Sequence, residues 1–88
     1  MPYIRESHRW TVDGPVNEIL KQLDRHAPDD VPGLVNYIIT RILLARFQHS
    51  YRAFAMGMGV LVTCGLEFYR RFVAPYEDRK IKENGDVQ

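Results

Sequence analysis

The fourteen residues from Ala53 to Leu66, AFAMGMGVLVTCGL, hold no charge and no proline, and Arg52 and Glu67 close them on either side. A run of that length is too short to span a bilayer and suits a buried helix. It continues into EFYRR-FVAPYED, where a Glu, a Tyr and two Arg precede Pro75. Gly57, Gly59 and Gly65 each cost about 1 kcal/mol relative to Ala in a helix interior, so they need a reason. Ala53, Gly57, Val60 and Cys64 fall on one stripe, with Ala55 and Gly59 beside it, and such a stripe admits a second helix backbone at close range. That second backbone is either another helix of the same chain or a symmetry mate. A chain of 88 residues buries a modest core, so the expected state is a helical homo-oligomer, with a compact three-helix monomer as the contrary reading.

The chain is long enough for one domain, residues 1–88. A hydrophobic content of 45% excludes a disordered chain. Cys64 is the single cysteine, so no intrachain disulfide forms, and its apolar neighbours suit a small hydrophobe in a reducing compartment. The opening MPYIRESHRW has no apolar core of the kind a signal peptide needs. The expected location is the cytoplasm, with no membrane partner.

The periodicity predicts an all-α subunit of one short and two long helices. Asp13 reads as the cap of the first, with Pro15 in its first turn. Val16, Ile19, Leu20 and Leu23 follow the spacing of one apolar face, and the helix ends near His26 because Pro28 forbids continuation. Asp29 or Asp30 with Pro32 starts the second helix, which runs to about His49 behind a wide apolar face from Val31 to Leu43. Ser50 caps the third, expected from Tyr51 to Ala74 and stopped by Pro75. Residues 1–12 and 75–88 read as irregular arms.

Charge is unevenly spread. The total is +1, yet residues 31–76 hold five Arg against Glu67 alone. Arg offers a planar fork that matches carboxylate or phosphate and stacks on aromatic faces. Solvated helix faces or partners for the acidic ends account for the same cations. On the second helix, Asn36, Tyr37, Thr40 and Arg41 form two i, i+4 pairs on one face. On the third, Glu67 reaches Arg70 and Arg71, and Tyr69 lies on the next strip. These positions have local uses: an ordinary Glu67–Arg71 pair, and hydrogen bonds between helices for Asn36 and Thr40. Together with Tyr76 they also suit a pocket in which aromatic faces stack a base and Arg forks hold phosphates.

No catalytic constellation is present. His8, His26 and His49 lie on separate segments without metal-ligand spacing, and no P-loop, HExxH, GxSxG or dinucleotide-binding glycine pattern occurs. DRKIKENGDV lacks the spacing of a calcium loop. The expectation is a non-enzymatic protein with no metal and no cofactor. A near-neutral total charge and the lack of a basic stripe disfavour nucleic acid as partner.

The segments MPYI, VNYIITRILL and LEFYRRFVAPYEDRKIKENGDV resemble an uncharacterised family of short proteins found in bacteriophages and bacteria. The strings YRR-x-VAPYED-x-KI and NGDV carry the resemblance most strongly. It implies no established chemistry, but marks Asn36, Tyr37, Thr40, Arg41, Glu67, Tyr69, Arg70, Arg71, Tyr76 and Lys80 as positions to watch. The phage association suggests, by analogy, a small oligomer that sequesters an anionic nucleotide messenger of bacterial immunity. In that reading Arg41, Arg70 and Arg71 hold phosphates, Tyr37, Tyr69 and Tyr76 stack, Asn36 and Thr40 read polar edges, and Glu67 orients an Arg. The N-terminal arm, through Tyr3 and Arg5, and the PYED segment with Lys80 close over a site between subunits. The alternatives are a protein-interaction adaptor and a nucleic-acid-associated accessory protein.

Overall fold

Gly14 and Pro15 lie in the middle of the first helix, not at its start. The computed structural model describes residues 2–88; Met1, the first residue of the expected arm, lies outside them. Helix α1 spans Glu6–Leu23, so the expected cap at Asp13 and the irregular arm to residue 12 are both corrected. Nothing in ESHRWTVD breaks a helix, and Glu6 in the first turn and Lys21 in the last complement the helix dipole. A proline ring ordinarily clashes with the Cβ of the residue before it. Gly14 has no Cβ, which lets the helix continue through Pro15. The cost remains: about 1 kcal/mol for the glycine and about 3 for the proline. Helix α1 is therefore as long as the apolar helix of the chain, 18 residues each, and not the short helix that the spacing predicts.

Pro28–Asp30 form a single 3-10 turn that leads directly into α2, Val31–Arg46. Asp30 is itself in helical conformation and its side chain caps nothing, which corrects the cap expected there. The second helix ends three residues earlier than expected, where Phe47 leaves helical geometry (φ −129°, ψ 31°).

Ser50 caps α3, Tyr51–Phe68, as the sequence indicates: its Oγ accepts from Ala53 N–H at 3.1 Å. The helix does not stop at Ala74. It widens into a π turn, Tyr69–Val73, and resumes as α4, Ala74–Asn84. Pro75 is the physical reason. It has no N–H to give, and its ring crowds the carbonyl of Arg71 four residues back. In the π turn Ala74 N–H bonds Tyr69 O, five residues back, and the wider ring carries the chain past the proline. The expected irregular arm from residue 75 is thus helical as far as Asn84. It ends at Gly85, whose φ of 89° only glycine adopts without strain. From Tyr51 to Asn84 the rod measures roughly 50 Å at 1.5 Å per residue, which matches the 48 Å longest dimension of the molecule.

Helices α2 and α3 pack against each other where Gly57 meets Phe47. A Cβ on Gly57 would lie 3.0 Å from Phe47 Cβ and 3.4 Å from Leu43 Cδ2. Gly57 is the one buried residue among those described. Gly59 and Gly65 face open space. The glycine stripe therefore divides: one member serves packing inside the chain and two do not.

The fold is all-helical, without a strand among the described residues, and no hydrophobic side chain is fully buried. The accessible surface is 8008 Å², against roughly 5,400 Å² for a compact monomer of this mass. The radius of gyration is 16.6 Å, against about 12 Å for a compact chain of this length. The compact three-helix monomer, the contrary reading of the sequence, is not observed.

Candidate anion-binding site at the π turn

Glu67, Arg70 and Arg71 sit where α3 opens into the π turn, and Tyr3 of the N-terminal arm reaches them from the other end of the sequence. Tyr3 OH donates to Glu67 Oε1 at 2.9 Å, and Arg71 Nη1 donates to Tyr3 OH at 2.9 Å. The Arg71 guanidinium also lies over the Tyr3 ring, 5.6 Å from its centroid, and 5.8 Å from the centroid of Phe72. Arg70 forks onto Glu67 through Nε and Nη2. The Glu67 side chain is 18% exposed and that of Arg70 is 70% exposed, so the pair has one sheltered and one open member.

The electrostatics follow from these contacts. The Arg70 hydrogen bond, then that of Tyr3, holds the Glu67 carboxyl below its ordinary value against the opposing effect of desolvation. Arg70 is raised by the same Glu67. Tyr69 on the neighbouring strip is raised by a hydrogen bond and charge from Glu77 in the first turn of α4.

The remaining residues expected in the site divide into separate groups. Arg41 Nη1 donates to Tyr37 OH at 3.2 Å and stacks over the same ring at 5.8 Å, an i, i+4 pair lying along the exposed side of α2. Asn36 and Thr40 are exposed beside it and make no side-chain hydrogen bond among the described residues. On α4, Arg79 and Lys80 flank the Tyr76 ring at 5.8 and 5.6 Å, and Lys80 also pairs with Glu83 at 3.1 Å. Arg5 precedes α1, and its carbonyl accepts from His8 and Arg9 N–H. One chain therefore joins Tyr3, Glu67, Arg70 and Arg71, and it leaves Arg41 and Tyr37 on another element. The PYED segment lies in the first turns of α4.

The sequence places Tyr3 in a closing arm, and nothing in it pairs Tyr3 with Glu67 and Arg71. No local spacing signals a contact across 64 positions. The π turn was missed too, although a Pro after a run of good helix formers is its natural cause.

Chemically, the cluster is a cationic fork pair with aromatic faces. Arg71 commits one Nη to Tyr3, and its other N–H groups have no partner among the described residues. No group of three or more His, Cys, Asp or Glu is placed to hold a metal ion among those residues. Among the described residues no helix is long and apolar enough to cross a membrane.

A family model described as a domain of unknown function, DUF6899, matches residues 1–87. No curated protein and no solved structure matches the chain.

Proposed function

The chain belongs to the DUF6899 family, and from that premise we propose that it is a non-catalytic binding protein that sequesters an anionic, nucleotide-type signalling ligand. The observation that carries this reading is the convergence of Arg70, Arg71 and Tyr3 at the π turn, with guanidinium N–H groups still available. Two forks match phosphate oxygens, and the tyrosine ring offers a face on which a base stacks. π turns are rare and occur often at functional sites. Arg41 with Tyr37, and Tyr76 with Lys80, supply further cation–aromatic pairs that reach the ligand from a neighbouring subunit. The working form is a homo-oligomer, supported by the large apolar surface left open on one chain. The resemblance to short phage proteins supports a phage-encoded protein that acts in the cytoplasm of the host against nucleotide-based immunity.

The same exposed apolar surface favours a second reading, an adaptor that packs its helices on a host protein. A thermal-shift screen with cyclic dinucleotides, cyclic ADP-ribose isomers and ordinary nucleotides separates the two. Stabilisation by one ligand class, with the ligand recovered intact after the protein is denatured, supports sequestration. No stabilisation at high micromolar concentration contradicts it.

A further inference from the structure

Helix α1 carries a full apolar stripe that its own chain does not cover. Val12, Val16, Ile19, Leu20 and Leu23 follow one face at helical spacing, yet none is buried, and Val12, Val16, Ile19 and Leu20 are 48%, 46%, 36% and 53% exposed. Gly14 and Pro15 make this helix costly to form, and an isolated helix of this length is marginal in water. Something must pack on it. The chain holds α1 at both ends, through the Tyr3 contacts to Glu67 and Arg71 and through the 3-10 turn running into α2. Between those ends the stripe stays off the α2–α3 face, which is itself open. A shallow groove of wholly apolar lining runs along that face past Ile39, Ile42, Phe47, Val60 and Leu61.

We propose that the α1 stripe packs onto the α2–α3 face of a second copy of this chain, so that each copy covers the other. This deepens the oligomeric part of the functional reading and rests on it. The area decides in favour of a second copy. Each chain exposes roughly 2,600 Å² more than a compact monomer of its mass, and two chains together reach roughly 5,000 Å², the upper range that an obligate homodimer buries. Arg70 and Arg71 flank the rod that begins with α3, so the partner's α1 brings a second chain beside the cationic cluster.

The test uses the full chain. Sedimentation at micromolar concentration reads its mass. Unlabelled chains and 15N-labelled chains carrying p-benzoylphenylalanine in place of Leu20 are then refolded together and irradiated. The expected result is an oligomer whose photo-cross-links join α1 of one isotopic form to α2 or α3 peptides of the other. A monomer, or cross-links confined to chains of one isotopic form, overturns the proposal. Val16→Asp on the stripe should release monomers while Lys21→Asp, on the opposite face, should not; equal behaviour of the two folded variants also overturns it. If Val16→Asp does not fold, the photo-cross-link decides. A monomer that still binds a nucleotide sinks this inference alone, whereas a swapped oligomer that binds none sinks the ligand reading alone.

Discussion

Tyr3 OH donates to Glu67 Oε1 at 2.9 Å, tying the N-terminal arm to the point where the long apolar helix becomes polar. Arg71 donates to the same hydroxyl, so one oxygen bridges a carboxylate and a guanidinium. Tyr3→Phe keeps the ring under Arg71 and removes both hydrogen bonds. The arm should then be cut faster by a nonspecific protease, with little change in helical content by circular dichroism. An unchanged cleavage rate contradicts the latch.

Acid should loosen the same contact. The Glu67 carboxyl is held below its ordinary value by Arg70 first and Tyr3 second. A lowered folded-state value means that this carboxylate's contribution to stability is complete above the ordinary glutamate range. It is lost as pH falls through the lowered value. Carbon-13 NMR of the Glu67 carboxyl should give a midpoint below that of a glutamate in a short unstructured peptide. A midpoint at or above the peptide's contradicts the geometry.

The glycines of α3 should respond in opposite ways. Gly57→Ala places a Cβ against Phe47 at 3.0 Å, so α2 must shift or the chain loses stability, by an expected 1–3 kcal/mol or about that. Gly59→Ala meets nothing within its own chain and should add up to about 1 kcal/mol of helix stability in any monomeric form. If the outer side of α3 receives a partner helix, the same change weakens assembly. Denaturant melts over a range of protein concentration separate the two effects.

Pro75→Ala removes the cause of the π turn. A regular α-helix through residues 69–75 should be more stable by up to about 3 kcal/mol and should rotate Arg70 and Arg71 relative to α4. The expected outcome is a higher melting temperature together with weaker ligand binding. A variant that gains stability and keeps full affinity shows that the π turn has no part in the site.

Much of the fold was legible in residue order. Ser50 and the fourteen-residue apolar run fixed the start and character of α3 because a hydroxyl cap and an unbroken helix-forming stretch act locally. Pro15 and Pro75 misled, since each is usually a boundary. Gly14 before one and a π turn around the other relieve the clash that makes it so, and a π turn leaves no distinct mark in composition. The site was legible as residue types but not as a set. Arg70, Arg71 and Glu67 are sequence neighbours on one rod, whereas Tyr3 joins them only through the tertiary path of the chain. Arg41 shares their chemistry yet stays with Tyr37 on α2, because its i, i+4 partner lies on its own helix.

Arg70→Ala and Arg71→Ala test the central claim. Isothermal titration of the nucleotide found by screening should show each variant weakened by tenfold or more, about 1.4 kcal/mol, while sedimentation gives the same assembly mass as the parent chain. If both variants bind as tightly as the parent, the cationic cluster at the π turn is not the ligand site, and the account fails at its centre.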